Sequence, residues 1–152
     1  FSVMKGLCEN TLTALGTAQF REHTALLTMR VKDVIRQSNP VCETGETLSS
    51  AMVKMTESRL GLVTLVDSKG AVAGVFTDGD LRRLMARTAD VLSLTAADAM
   101  TPRPLTIRRD LLAVEALKVM ETHKITSVVV TDAGGTVEGV VHLHDLWRLQ
   151  MI

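Results

Sequence analysis

The chain has 152 residues, with 17 Lys+Arg balanced by 17 Asp+Glu, 46% hydrophobic and 22% charged residues. That length suits one compact unit or two small halves sharing a core, and that composition excludes disorder. Zero formal charge and 3% aromatic residues remove both the electrostatic and the base-stacking reasons to expect nucleic acid as a partner. No apolar run approaches the roughly 18–20 residues that cross a bilayer, and the opening residues lack the charged and apolar regions of a signal peptide. A chain that opens with Phe1 is expected to be a fragment of a longer one.

The first 30 residues are expected to form a helical lead-in. Phe1, Met4, Leu7, Cys8, Leu12 and Leu15 recur at helical spacing up to Gly16, and a second short helix fits Gln19 to Met29. The two cysteines, Cys8 and Cys42, match no metal or disulfide spacing and read as reduced thiols.

From Val31 onward the chain repeats itself. Shifting it by 65 positions lays Val31–Leu84 on Ala96–Leu149. The identities include Asp33/Asp98, Ala51/Ala116, Met55/Met120, Val63/Val128, Asp67/Asp132, Gly70/Gly135, Val72/Val137, Gly74/Gly139, Asp80/Asp145, Leu81/Leu146 and Arg83/Arg148. They fall at turns, core positions and one helix start, where a shared architecture requires them.

Each copy opens with a short segment, Val31–Ile35 or Ala96–Met100, followed by a proline-marked extended stretch around Pro40 or Pro104. An amphipathic helix carries Leu48, Ala51, Met52 and Met55 in one copy, and Leu112, Ala116, Val119 and Met120 in the other. Two β-branched runs then flank a turn bounded by Asp and Gly, Asp67–Gly70 or Asp132–Gly135, which predicts a hairpin. A closing helix is expected from about Asp78 to Ala86, and from His144 to Gln150. Residues 87–95 are a polar connector, and Thr95 with Asp98 has capping-box spacing. The order is strand, helix, strand, strand, helix twice: an α/β (α+β) fold with repeats at 31–86 and 96–152. Neither copy can bury much core alone, so the two are expected to pack face to face.

Catalysis finds no constellation. There is no nucleophile elbow, no His-Glu-x-x-His and no phosphate-cradling glycine loop. His142 and His144 would share a strand face, but two ligands do not complete a metal site. The informative stretch is Gly74-Val75-Phe76-Thr77-Asp78-Gly79-Asp80, a strand ending in Thr with Asp three residues on at a helix start. A carboxylate there could accept both ribose hydroxyls, beside a Thr hydroxyl and a helix N-terminus suited to phosphate. Thr-x-x-Asp is equally a capping box, which alone would account for both residues.

The repeat and its closing motif resemble a tandem pair of CBS domains, a Bateman module packed with pseudo-two-fold symmetry. In that family the Ser/Thr and Asp hold the phosphate and ribose of adenosine ligands, roles that the resemblance assigns to Thr77 and Asp80. It also implies an apolar base pocket at Val41 with the stretch from Leu60 to Leu62. The second copy keeps Asp145 but places His142 where Ser/Thr is expected. Arg82, Arg83, Arg103, Arg108 and Lys124 are candidate phosphate partners.

The wording of Gly74–Arg83, of His123–Val130 and of His142–Leu146 is similar to the C-terminal CBS pair of bacterial arabinose-5-phosphate isomerases, enzymes of 3-deoxy-octulosonate synthesis for lipopolysaccharide or capsule. The resemblance implies a non-catalytic, cytoplasmic regulatory fragment of an enzyme. Its partners would be its own N-terminal sugar-isomerase (SIS) domain and further copies in a homo-oligomer, with no nucleic acid, membrane or other stable protein partner. Its regulatory ligand would be an adenosine or cytidine nucleotide or a nucleotide-sugar, and no cofactor is required. An oligomerisation module with an empty site, and a CBS pair of another parent such as a transporter or regulator, are the alternatives.

Overall fold

The computed structural model describes residues 27–36 and 39–151, with side chains to residue 148. The predicted lead-in helices lie outside these residues, apart from Leu27 and Thr28, which are helical. In chain order the elements are α1 (Val31–Val34), β1 (Val41–Glu43), α2 (Leu48–Ser58), β2 (Leu62–Val66), β3 (Val72–Thr77) and α3 (Asp78–Arg87). After a 3-10 turn at Val91–Ser93 the series recurs as α4 (Ala96–Ala99), β4 (Thr101–Pro102), β5 (Thr106–Ile107), α5 (Ala113–His123), β6 (Ser127–Thr131), β7 (Val137–His142) and α6 (Leu143–Met151). The predicted helices and hairpins are present. The opening segments Val31–Val34 and Ala96–Ala99 are single helical turns, the second starting at the Thr95–Asp98 capping box, and the parallel strands of the two copies begin only at Val41 and Thr106. In each turn an Asp caps the start, with the Arg30 N–H donating to Asp33 (2.9 Å) and the Thr95 N–H donating to Asp98 (3.0 Å).

Two sheets form. In the first, β1 runs parallel to β2 across helix α2, β2 pairs antiparallel with β3, and β3 pairs with β4. The second repeats this with β5 parallel to β6 and β6 antiparallel to β7. The central strand Leu62–Val66 is buried at every residue, as a strand covered on both faces must be. The repeated Asp and Gly of the hairpins now have a physical reason. Asp67 accepts the N–H groups of Lys69 and Ala71, Asp132 those of Gly134 and Thr136. Gly70 and Gly135 take φ of 83° and 85°, which a side chain would oppose.

The two copies exchange their opening segments. β4, from the start of the second copy, is the edge of the first copy's sheet, and Ala96 sits in that copy's core beside Leu48, Met55 and Phe76. Reciprocally, Arg36 bridges Val140 of β7, and Val31 lies in the second core with Leu117, Met120 and Leu146. Paired backbone bonds repeat the exchange about a pseudo-two-fold axis. The Leu48 N–H donates to the Leu94 carbonyl (3.0 Å) as the Ala113 N–H does to Met29 (2.8 Å). The Ala96 N–H donates to Glu46 (2.8 Å) as the Val31 N–H does to Leu111 (2.8 Å). At the axis the hairpins meet, with the Val72 N–H donating to the Gly135 carbonyl (3.0 Å).

Gly74 and Gly139 lie where each exchanged segment crosses a sheet. A Cβ on Gly74 would stand 2.8 Å from the Thr101 carbonyl oxygen, and one on Gly139 would stand 2.5 Å from that of Arg36. Both obstacles are backbone. Gly139→Ala is therefore expected to destabilise the chain by about 1–3 kcal/mol, the usual cost of overpacking. Urea denaturation checks it, with Gly45→Ala as the control because nothing lies within 4 Å of a Cβ there.

Candidate functional site between the two copies

A cleft of about 630 Å³ opens where the first copy's β3–α3 junction faces the exchanged segment and the α5–β6 turn of the second copy. Its apolar walls are Leu60, Leu62 and Val75 from the first copy, with Pro104, Leu105, Ile125 and Val129 from the second. Thr77, Thr101, Thr126 and Ser127 add hydroxyls, and Arg82, Arg83 and Lys124 add cations beside the Asp78 carboxylate. The Ser127 hydroxyl is buried there and has no hydrogen-bond partner among the described residues.

Thr77 stands at the cleft because β3 ends there and α3 begins. Its Oγ1 accepts the Asp80 N–H (3.2 Å), and its own N–H donates to Asp80 Oδ2 (3.0 Å), a complete capping box. Asp80 Oδ1 accepts Arg83 (2.5 Å) and is 3.4 Å from the Thr101 hydroxyl that donates to it. The Asp78 N–H donates to the Gly61 carbonyl (3.1 Å), fixing the turn before β2 against the helix start. Gly61 is required, since its φ is +65° and a Cβ would lie 2.7 Å from Asp78.

Of the residues singled out from sequence, Thr77, Leu60 and Leu62 line the cleft, and so do Arg82, Arg83 and Lys124. Asp80 lies just behind Thr77, engaged in the cap. Val41 is elsewhere: it stands on β1 beside Thr64, its carbonyl accepting Lys54 Nζ (3.1 Å). Pro104 and Leu105, at the start of the second copy, supply the wall on that side, and Arg103 and Arg108 are not among the lining residues.

Asp145 and His142 occupy the pseudo-equivalent position but in other company. Asp145 accepts a two-pronged pair from Arg36, Nε to Oδ2 at 2.7 Å and Nη2 to Oδ1 at 2.9 Å. Despite burial, that guanidinium holds the carboxyl below its ordinary range. His142 Nδ1 accepts the His144 N–H (3.1 Å), its ring stacks on His144 at 4.9 Å, and His144 meets Trp147 edge-on at 5.3 Å. Among the described residues no three His, Cys, Asp or Glu side chains are grouped to hold a metal. Cys42 is buried, and burial with the neighbouring Glu46 pushes its thiol up to about 11, which rules out a ready nucleophile.

Burial, then His144 and Arg36, hold the His142 pKa below 6.5. The folded chain therefore resists the proton that the unfolded chain accepts. The stability this imidazole contributes is full above 6.5 and is lost as pH falls through its folded pKa. Urea midpoints at pH 7.5 and 5.5 are expected to fall further in the natural sequence than in His142→Asn. Equal falls would show that the imidazole carries no pH dependence.

Among known proteins, the model of the CBS domain family matches residues 31–87 and 96–146. Arabinose 5-phosphate isomerase KdsD of Pseudomonas aeruginosa is 41% identical over 124 residues, 80% of this chain and 38% of that protein. KdsD of Escherichia coli K12 is 39% identical over 128 residues, 83% of this chain and 39% of that protein. The chain thus spans about two-fifths of the length of these relatives. The crystal structure of CBSX2 in complex with AMP superposes with a TM-score of 0.71 at 23% identity, covering 81% of this chain and 96% of that one. The CBS domain pair of protein MJ0100, in complex with 5′-methylthioadenosine and S-adenosyl-L-methionine, does so at 0.71 and 22%, covering 80% and 94%. The exchanged segments, twin sheets and intervening cleft are those of a CBS domain pair, and this chain belongs to the CBS domain family.

Proposed function

We propose that this chain is the regulatory, non-catalytic CBS pair of a sugar-phosphate isomerase that interconverts arabinose 5-phosphate and ribulose 5-phosphate, and that its cleft senses a nucleotide or nucleotide-sugar. The observation that carries the reading is the cleft itself: an apolar slot suited to a base, ending at the Thr77 hydroxyl and three cations drawn from both copies. The similar solved structures of CBSX2 with AMP and of MJ0100 with S-adenosyl-L-methionine support an adenosine-type occupant, and the identity to KdsD supports the parent enzyme. A module joined to a sugar-isomerase domain would act in the cytoplasm, where phosphorylated sugars are made. Occupancy changes the parent's activity only by binding one of its states more tightly than another.

One observation favours a second reading. The Thr77–Asp80 box is complete without a ligand, as expected of a helix cap in a purely structural oligomerisation module with an empty site. Val53 and Met85 are 54% and 62% exposed on the helices of the first copy, apolar surface that a second copy could cover.

Titration calorimetry with AMP, ATP, CMP and a cytidylated sugar acid separates the two. The sensor reading expects saturable binding by at least one of them. Arg82→Ala and Lys124→Ala should each weaken it about tenfold, the loss of about one charge-assisted contact. Asp80→Ala should abolish it, while weakening the α3 cap by about 1 kcal/mol. No heat from any of the four, with a dimer at the same concentration by sedimentation, would leave the oligomerisation reading standing.

A further inference from the structure

The pseudo-two-fold relation that lays Asp80 on Asp145 also lays Thr101 on Arg36, and that single difference changes what the second position can do. In the first, the exchanged segment offers a hydroxyl 3.4 Å from Asp80, and the facing Arg83 side chain is 68% exposed. In the second, the exchanged segment offers a guanidinium, 38% exposed, whose two nitrogens engage both Asp145 oxygens, while the two carboxyl side chains are about equally sheltered at 15% for Asp80 and 12% for Asp145. The fork covers the edge of the carboxylate that faces the exchanged segment, where Asp80 meets only the Thr101 hydroxyl. The backbone pairing is shared: Val75 pairs with Thr101 as Val140 does with Arg36, whose N–H donates to the Val140 carbonyl at 2.9 Å with a return bond at 3.2 Å. The ion pair adds to that bridge a charged two-bond anchor where Thr101 makes one long hydroxyl bond.

We propose that Arg36 is a built-in occupant of the second position: it fills the place of a ligand's diol and latches the segment preceding β1 onto the second copy's sheet. The module then carries one ligand cleft and one strap, and it binds a single nucleotide per chain. The latch stands on its own geometry, independent of which ligand the first cleft takes.

Hydrogen exchange of the intact chain, natural and Arg36→Gln, tests it, with AMP titration alongside. Exchange at residues 31–36 and 137–141 is expected to rise at least tenfold in the variant, with the central strand Leu62–Val66 unchanged and AMP affinity within twofold. Arg36→Lys, which keeps the charge but loses the fork, is expected to fall between the two, and it serves if Arg36→Gln does not fold. Unaltered exchange at 31–36 in both variants would overturn the latch, as would two equivalents of AMP bound per natural chain. Absence of any AMP binding bears on the ligand reading alone, because the exchange arm decides the latch without it.

Discussion

Everything in this structure depends on the reciprocal exchange of two short segments. Neither copy completes its own sheet or core: Ala96 packs under the first copy's α2, and Val31 packs under the second copy's α5. Backbone bonds such as Ala96 to Glu46 and Val31 to Leu111 fix both crossings, and their donors belong to fully buried residues whose N–H groups would otherwise go unpaired. A copy pulled away would leave an open sheet edge and an empty core position on each side. The halves therefore fold as one unit, although each has a complete strand–helix–hairpin–helix pattern.

The exchange also builds the cleft. Each crossing segment runs over a glycine, Gly74 or Gly139, close enough that its backbone carbonyl would meet a Cβ. That close approach brings Thr101, Pro104 and Leu105 beside Thr77, so the walls of one site come from both copies. A ligand in such a slot touches the two repeats at once. Its binding energy can therefore be spent on their relative arrangement, the only quantity a sensor of this kind could transmit.

Much of this was legible in the sequence because the repeat marks places where chemistry leaves little choice. Asp67 and Asp132 hold turns that Gly70 and Gly135 close, and Leu81 and Leu146 seat the closing helices, so the hairpins and helices could be read directly. The opening segments could not. Four residues are too few to show a period, and nothing local says whether a helical turn packs on its own copy or on the other. Val41, which the family resemblance suggested for the base pocket, is not among the residues lining this cleft, where Pro104 and Leu105 stand from the far repeat. Arg36 escaped notice for a related reason: its weight lies in a partner 109 positions away.

The asymmetry between the two positions follows from how firmly each carboxylate is held. Asp80 has one oxygen in the cap and the other on a largely exposed arginine one helical turn away, a pairing worth little in water. A ligand hydroxyl can take that oxygen at small cost, while the cap keeps the carboxylate aimed. Asp145 is held by a planar two-bond fork from a distant segment, so displacing it would break both bonds at once and release the strap as well. Charge at the first cleft adds one further constraint. Asp78 and Asp80 both stand in the first turn of α3 and oppose an anion at the helix start itself. A phosphate-bearing ligand would thus carry its charge outward to Arg82, Arg83 and Lys124 at the rim, with the sugar at Thr77 and the base between Leu62 and Val129.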